Sequence, residues 1–269
     1  LFTVSETGEA TKNPYDNAGY MDIAPDDRGE NIRREICLTL EQMGIYPERS
    51  HHEQGPGQNE IDFRYSDPLT AADNAMTFQT VVKTVAGCNG LIADFSPKPL
   101  ADKPGNGFHI NISAKADDNS DYLHQIIAGI LAKVCDMTLF LNPLNCSYQR
   151  FGNDKAPQYI SWSSENRSQL IRIPAAVGKY RRAELRSPDP TANSYLAFAL
   201  MIYAGLYGIQ NHLQLAEPTD INLYKANADV LSKFKMLPSS LRDACESALN
   251  SDFIKQHIPN EILEIYCHR

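Results

Sequence analysis

The sequence predicts an α+β fold in which helices alternate with short antiparallel hairpins. Segments with apolar residues at every third or fourth position, which are typical of helices, are interspersed with segments in which apolar and polar residues alternate, as in strands. The chain carries neither a GxxxxGK[ST] phosphate loop nor a dinucleotide-binding glycine fingerprint. A domain with a largely antiparallel sheet therefore fits better than a doubly wound parallel sheet.

Periodic apolar stripes predict the helices, which we expect over residues 29–43, 70–88, 121–141, 191–213, 239–249 and 260–268. The first stripe includes Ile32, Ile36 and Leu40 and stops at Gly44. The second helix contains the pattern Thr70-x-x-Asp73, which predicts a capping box at its start.

Alternation predicts the remaining strands, which we expect over residues 91–95, 108–113, 169–174 and 180–186, the last two forming a hairpin. In the strand 108–113 the polar row His109, Asn111 and Ser113 lies on one face. Such a row is typical of the floor of a site and equally of a strand that faces solvent.

Three charged residues, Arg182, Glu184 and Arg186, share one face of the last predicted strand. An acid between two arginines is most often a structural row of ion pairs. The functional alternative is an anion site with a metal ligand in its middle.

The segment 49–65 predicts a hairpin that turns at Gly55-Pro56-Gly57. In that hairpin Glu53 and Glu60 lie symmetrically about the centre and can face each other, with His51 and Asp62 beyond them. Like charges opposite each other destabilise a sheet, and a divalent cation with oxygen ligands would remove the repulsion. The alternative is a solvated polar face. The sequence His-His-Glu lacks the spacing of a HExxH zinc site.

Composition limits the function classes. The 269 residues are enough for one large domain, which we expect over residues 1–269, and the net charge of -8 disfavours nucleic acid or an anionic membrane as partner. No apolar run approaches the roughly 18 residues of a membrane span, and no signal peptide is recognisable. The six cysteines form no CxxC pair, which predicts reduced thiols and a cytoplasmic location. Because the chain starts at Leu1 without a methionine, we expect that upstream residues have been removed.

Several segments, in order along nearly the whole chain, together resemble the catalytic domain of type I glutamine synthetase. They include Gly19-Tyr-Met-Asp22, Ser50-His-His-Glu53, Glu60-Ile-Asp-Phe63, Gly107-Phe-His109, Asn166-Arg-Ser168, Ile171-Arg-Ile-Pro174 and Arg181-Arg-Ala-Glu-Leu-Arg-Ser-Pro-Asp-Pro190. The resemblance implies a curved, largely antiparallel sheet with helices on its outer face. It also implies ATP-dependent ligation of ammonia to the γ-carboxylate of glutamate, through a γ-glutamyl phosphate.

The resemblance implies a role for individual residues. One Mg²⁺ or Mn²⁺ would be held by Glu53 and Glu60, and a second by His109 and Glu184. Glutamate would be bound by Gly105, Arg150 and Arg186. ATP and its phosphates would be bound by Glu48, Ser113, Arg167, Arg172, Lys179 and Arg182. Direct catalytic roles would fall to Arg167, Arg186 and Tyr20, the last lining the ammonium pocket. This equipment suits phosphoryl transfer, which depends mainly on positioning and charge neutralisation.

The family also has an N-terminal sheet domain and a strand whose two glutamates complete the metal sites, both upstream of the segments matched here. We therefore expect each metal site to be one carboxylate short and this chain alone to lack ligase activity. The family assembles as two stacked hexameric rings, which implies a homo-oligomer, a dodecamer, for the longer protein.

Within the chain, Lys155 replaces a flap glutamate that helps to deprotonate ammonium; a charged lysine would repel ammonium, and Asp154 is a candidate to substitute. Asn111 replaces the second histidine of a His-x-His pair, and Pro104 replaces an asparagine that contacts glutamate. Three hypotheses remain: a glutamine synthetase, a γ-glutamyl ligase for a different amine, and a weakened homologue with a nitrogen-sensing regulatory role. Tyr224 stands where some members are adenylylated, which a tyrosine permits.

Overall fold

A computed structural model describes residues 1–115, 120–153, 155–175 and 178–268 of the chain. The chain divides into two compact units, Leu1–Gly105 and Asn106–Arg269. Each unit combines helices with short, mainly antiparallel strands, as the sequence predicts. The single domain expected over residues 1–269 stays a prediction.

The first unit has two small antiparallel sheets and two helices. One sheet has the order β2-β1-β5 and consists of β1 (Phe2–Val4), β2 (Ala10–Pro14) and β5 (Leu91–Ile92). The other is a hairpin of β3 (Pro47–His52) and β4 (Asn59–Phe63). The helices are α1 (Glu30–Gln42) and α2 (Pro68–Cys88). Their apolar sides form a core with β5 that includes Ile36, Leu40, Val82, Val85 and Leu91.

Helix α2 begins earlier than the sequence pattern indicates. Its N-cap is Asp67, whose carboxylate accepts a hydrogen bond from the backbone nitrogen of Thr70 at 3.1 Å, and Pro68 occupies the first turn. The predicted capping box Thr70-x-x-Asp73 is therefore wrong. An aspartate at the N-cap followed by proline starts a helix equally well, because proline needs no hydrogen-bond partner there.

The second unit has one four-stranded sheet with the order β6-β9-β8-β7. The strands are β6 (Ile110–Ile112), β7 (Trp162–Ser163), β8 (Ile171–Arg172) and β9 (Ala183–Leu185), and only the pairing of β7 with β8 is parallel among the described pairs. The helices are α3 (Leu123–Leu141), α4 (Ser194–Gln210), α5 (Ala228–Leu231), α6 (Leu241–Asn250), α7 (Asp252–His257) and α8 (Asn260–Cys267). Short 3-10 helices cover Asn145–Arg150 and Gly178–Tyr180.

Helices α3 and α4 form the centre of this unit, and their backbones approach each other closely at two glycines. A Cβ added at Gly129 would overlap the carbonyl oxygen of Ala204, and one added at Gly208 would overlap that of Gln125. Helix α3 is long and apolar enough by composition to span a membrane, although Lys133 and Asp136 interrupt its apolar run. Because 61% of its most apolar 18 residues are buried, α3 has the character of a core helix.

The cysteines differ from the prediction. Cys245 on α6 and Cys267 on α8 form a disulfide with Cα atoms 5.5 Å apart, whereas Cys37, Cys88, Cys135 and Cys146 are free. The prediction that all six are reduced thiols is therefore wrong for one pair. The two residues are 22 positions apart, and only the packing of α8 against α6 brings them together.

Candidate metal and anion sites in the two units

The hairpin of the first unit is paired two residues away from the predicted register. His51 lies directly opposite Glu60, and Glu53 follows the last pair, its backbone nitrogen donating to the carbonyl oxygen of Gln58 at 2.7 Å. The prediction that Glu53 and Glu60 are symmetric about the centre is therefore wrong. Gly57 has a φ of 61°, which tightens the turn and moves the hairpin centre towards the N-terminus.

The hairpin nevertheless brings the two predicted metal ligands together. His51, Glu53 and Glu60, which we call the hairpin cluster, each offer a ligand atom, and these atoms lie within 4.8 Å of one another. His51 Nε2 is 3.4 Å from an oxygen of Glu53, and all three side chains are partly buried. Carboxylate and imidazole groups are common ligands of divalent cations. Glu53 and Glu60 therefore belong to a cluster whose chemistry suits a cation.

A second cluster of the same residue types lies on the opposite side of β3. Its members, Asp16, Asp27 and His52, are buried and also offer ligand atoms within 4.8 Å of one another. Arg33 donates to both oxygens of Asp27, at 3.0 and 2.6 Å. Because the arginine already neutralises a carboxylate, this buried cluster is a structural network. We call it the anchor cluster.

The anchor cluster holds the turn and the loop beside the hairpin. Asp16 accepts hydrogen bonds from the backbone nitrogen of Gly57 at 3.0 Å and contacts His52 Nε2 at 2.8 Å. His52 Nδ1 lies 3.0 Å from the carbonyl oxygen of Gly19 and 2.6 Å from that of Glu53. These contacts fix the positions from which Tyr20 and Glu53 project.

Of the other predicted site residues in this unit, one lies beside the hairpin cluster and two make contacts elsewhere. The ring of Tyr20 meets that of His51 edge-on, with centroids 5.6 Å apart, so this residue adjoins the hairpin cluster. The carbonyl oxygen of Gly105 accepts from the side chain of Gln58 at 3.0 Å. Glu48 is exposed on β3, with an oxygen 3.7 Å from Arg64.

The second unit gathers three of its predicted residues around a fourth, which is a buried carboxylate. Glu184, in the middle of β9, lies opposite Arg172 of β8. Its oxygens are 2.6 Å from Arg172 Nε, 3.3 Å from Arg186 Nη1 and 3.4 Å from His109 Nδ1. His109 directly precedes β6, which pairs with the other side of β9. The antiparallel register thus brings together side chains that are far apart in sequence.

The electrostatics of this group keep the carboxylate ionised. Burial raises the pKa of Glu184, but the hydrogen bond from His109 and the charges of His109, Arg186 and Arg172 outweigh burial, so the pKa lies well below its ordinary value. Burial lowers the pKa of His109, with Glu184 opposing that effect. An ionised carboxylate beside an imidazole is a suitable pair of metal ligands.

Arg150 forms a buried cationic position in the same unit. Its Nη1 and Nη2 atoms donate to the carbonyl oxygens of Ser187 and Pro188 at 3.0 and 3.4 Å, and among the described residues Nε has no hydrogen-bond partner. Burial lowers its pKa to about 10. A Cβ at Gly107 would lie 2.9 Å from His109 Nε2 and 3.4 Å from Arg150 Nη2. A glycine at this position therefore lets both the imidazole and the guanidinium approach the space that a side chain would occupy.

The family model for the catalytic domain of glutamine synthetase matches residues 2–269. The chain belongs to this family. The resemblance inferred from the sequence is therefore confirmed, and so is the α+β fold class.

Two curated relatives show the extent of the match. The chain is 42% identical over 281 residues to a glutamine synthetase of Clostridium saccharobutylicum, covering 99% of this chain and 63% of the relative. It is 44% identical over 277 residues to one of Staphylococcus aureus (strain MW2), covering 97% and 62%. The chain thus spans less than two thirds of the length of these glutamine synthetases.

Solved structures agree in fold. A structure described as a GmaS/ADP complex superposes with a TM-score of 0.87 at 28% identity, covering 99% of this chain and 65% of that one. The Plasmodium falciparum glutamine synthetase superposes with a TM-score of 0.81 at 23% identity, covering 96% and 61%, which shows the fold alone.

The remaining residues that the glutamine synthetase resemblance singled out lie around the sheet of the second unit. Arg182 Nε donates to the side-chain oxygen of Asn111 at 3.0 Å. Arg167 and Ser113 are exposed, in the turn before β8 and just after β6. Asp154 and the side chain of Lys179 lie outside the described residues. Lys155 has a φ of 69°, and its carbonyl oxygen accepts from Arg186 Nη2 at 3.4 Å.

Sequence reasoning missed two supporting residues and misplaced one. Asn142, at the end of α3, donates to the carbonyl oxygen of Ser187 at 2.9 Å and to Asp189 at 3.1 Å, which fixes the chain beside Arg186. The sequence pattern assigns Gly107 no separate role. His51 was placed beyond the carboxylates, and the correct hairpin register would have put it opposite Glu60.

Proposed function

We propose that this chain provides the catalytic domain of a glutamate–ammonia ligase, which phosphorylates the γ-carboxylate of glutamate with ATP and then lets ammonia displace phosphate. The observation that carries the proposal is the arrangement of Arg172, Arg186 and His109 around the ionised Glu184. Arg150, in the same unit, adds a buried guanidinium whose described hydrogen bonds go to backbone carbonyl oxygens and not to a carboxylate. Such a concentration of cationic donors suits two anionic substrates.

The arginines would bind and orient the anionic groups. Arg150 would hold the α-carboxylate of glutamate, because a buried guanidinium with an unsatisfied Nε gains most from a desolvated anion. Arg186 would reach the reacting γ-carboxylate, and Arg167 with Arg172 would face the phosphates. These donors are already in place to stabilise the negative charge that shifts between phosphate and carboxylate during the reaction. Such stabilisation, together with positioning, is the main source of catalysis in phosphoryl transfer.

Two clusters fit a divalent cation. Glu53 and Glu60 in the first unit, and His109 and Glu184 in the second, offer carboxylate oxygens and imidazole nitrogen, and the hairpin cluster includes a buried nitrogen without a hydrogen-bond partner among the described residues. Bound there, Mg²⁺ or Mn²⁺ would supply charge that neutralises the phosphate oxygens. We expect further carboxylates of the longer protein to complete each site. A homo-oligomer, a dodecamer in the family, and a cytoplasmic location belong to the same proposal.

A γ-glutamyl ligase for a different amine is the second candidate. The observation that favours it is the position of Lys155, whose backbone carbonyl contacts the guanidinium of Arg186, the residue proposed to bind the γ-carboxylate. A charged lysine in the flap disfavours an ammonium ion close by.

The decisive experiment measures ADP release by the chain extended to the full length of its relatives, with Mg²⁺, ATP and glutamate. Ammonium is compared with a panel of small primary amines, and reactions without glutamate are the control. We expect ammonium-dependent ADP release that Arg150→Ala abolishes. Turnover only with a larger amine would establish the second candidate. A protein that binds ATP but turns over no amine would contradict both and support a regulatory role.

A further inference from the structure

We infer that His51 is an additional ligand of the cation at Glu53 and Glu60, and that its nitrogen makes this site favour Mn²⁺ over Mg²⁺. The inference rests on the proposed function in one respect, since it assumes a cation at this pair of carboxylates. It goes further in naming a ligand that the family resemblance does not assign and in deriving the metal preference from it.

The strand register gives His51 its place. His51 pairs with Glu60 across the hairpin, and Glu53, two residues further along the chain, projects from the same face. The His51 Nε2 atom is 3.4 Å from a carboxylate oxygen of Glu53, and the three ligand atoms lie within 4.8 Å of one another. Ligands of one ion at bond lengths near 2.1 Å lie up to about 4.2 Å apart, so only a small closing movement is needed.

The Nε2 atom itself lacks a partner that would explain its position. It is buried and has no hydrogen-bond partner among the described residues. Buried polar atoms are nearly always hydrogen-bonded, and each exception requires a reason. In the tautomer with its proton on Nδ1, the Nε2 lone pair of His51 would face the carboxylate of Glu53 and be repelled by it, and a cation between the three groups would turn that repulsion into coordination.

The neighbouring histidine makes the contrast clear. His52 is fully buried, and both its ring nitrogens are engaged, Nε2 with Asp16 at 2.8 Å and Nδ1 with the carbonyl oxygens of Glu53 and Gly19. The two side chains lie on opposite faces of the strand because successive residues alternate. His52 is thus held by structural hydrogen bonds, whereas His51 presents to the carboxylates a ring nitrogen that makes no hydrogen bond among the described residues.

A nitrogen ligand changes which ion the site prefers. Mg²⁺ favours oxygen ligands and keeps several of its waters, whereas imidazole suits transition metals better. A site with two carboxylates and one imidazole should therefore bind Mn²⁺ more tightly than Mg²⁺. The same carboxylates without the imidazole should discriminate less.

The test is Mn²⁺ binding by the 269-residue chain, followed by electron paramagnetic resonance. Since His109 is a proposed ligand of the other cation, the His109→Gln variant serves as the background that removes its nitrogen. We expect the spin-echo modulation of a coordinated nitrogen to persist in this background and to disappear when His51→Gln is added. Removing a ligand should lower the Mn²⁺ affinity about 10-fold or more, because even outer partners change metal affinity by roughly 10–100-fold.

Competition with Mg²⁺ tests the preference. We expect His51→Gln to change the Mg²⁺ affinity by about threefold or less, because Mg²⁺ depends on the oxygen ligands. The exposed His268 supplies the matched control, since His268→Gln removes a histidine without touching the hairpin. Thermal unfolding in a chelator checks that each variant is folded, and His51→Ala replaces any glutamine variant that is not.

Each result distinguishes between the claims. Nitrogen modulation that is absent in His109→Gln, or that survives the added His51→Gln, would overturn the role of His51 and leave the cation site at Glu53 and Glu60 intact. If Glu53→Gln leaves Mn²⁺ binding unchanged, no cation is held there, and the metal part of the proposed function fails as well. Absence of ligase turnover with intact His51-dependent modulation would refute the function but not this inference.

Discussion

The first unit contains two clusters of histidine and carboxylate that lie on opposite sides of one strand and behave differently. The anchor cluster, Asp16, Asp27 and His52, is fully buried and includes the guanidinium of Arg33 as its own cation. The hairpin cluster, His51, Glu53 and Glu60, is partly buried and includes a ring nitrogen without a hydrogen bond among the described residues. Residue type alone therefore does not identify a metal site. What distinguishes the two clusters is that an arginine already neutralises a carboxylate of the anchor cluster, whereas one ring nitrogen of the hairpin cluster makes no hydrogen bond among the described residues.

The largest effect is expected from breaking the buried ion pair of the anchor cluster. Asp27→Ala should lower the free energy of unfolding by about 3–5 kcal/mol, because it leaves the buried Arg33 unpaired. Urea unfolding monitored by circular dichroism measures this. The control is Arg64→Gln, which disrupts the exposed pair with Glu48 and should cost well under about 1 kcal/mol. Equal costs would show that the anchor cluster is not a structural network.

Of the two clusters in the first unit, metal addition should act on the hairpin cluster alone, and the His109→Gln background removes the contribution of the other proposed cation site. Mn²⁺ at about 100 times its dissociation constant should stabilise the chain by about 2.7 kcal/mol, by mass action on the folded state. Glu53→Gln should remove this stabilisation, whereas Asp16→Asn should retain it from a lower starting stability. Thermal unfolding with and without a chelator gives the comparison. Loss of the metal effect in both variants would mean that the clusters do not act separately.

The adjacent histidines should differ in their contribution to stability. His52→Gln is expected to cost about 1–3 kcal/mol, because Asp16 and the carbonyl oxygen of Gly19 lose their buried partner. His51→Gln should cost less than about 0.5 kcal/mol without metal, because His51 Nε2 makes no hydrogen bond that is lost. Denaturant unfolding in a chelator measures both. A larger cost for His51 than for His52 would reverse the assignment of the two roles.

Acid should cause the smallest of the expected losses in the free energy of unfolding, through the carboxylate of Asp27 in the anchor cluster. Burial raises the pKa of Asp27, but the hydrogen bond and charge of Arg33 outweigh burial, so the folded-state pKa lies below the ordinary value of 3.8. The stability that this carboxylate contributes is therefore present above that value and is lost as the pH falls through the folded-state pKa. Between pH 5 and pH 3 we expect the wild type to lose more unfolding free energy than Asp27→Asn. The same loss in both would show that Asp27 is not linked to acid stability.

Much of the local structure could be predicted from local patterns. The stripe through Ile36 and Leu40 predicted α1, and the alternation around Glu184 predicted a strand whose antiparallel partner is β8, which the structure confirms. The prediction of the hairpin was wrong because its register depends on the conformation of a single turn residue. The predicted hairpin register differs from the observed one by two residues, because the turn geometry at Gly57 is not visible in an apolar–polar pattern. A shift of two residues keeps the same face but places His51 rather than Glu53 opposite Glu60.

The sequence by itself determined the longer helices, the strands around His109 and Glu184, and the family, because these depend on periodicity and on short segments in a fixed order. Only the tertiary structure decided which histidine of the pair His51-His52 faces the carboxylates, that Arg33 neutralises Asp27, and that Cys245 meets Cys267. These contacts depend on register and on packing between elements distant along the chain. A change of a few ångströms there decides whether a charged group has a partner, and no local pattern in the sequence contains that information.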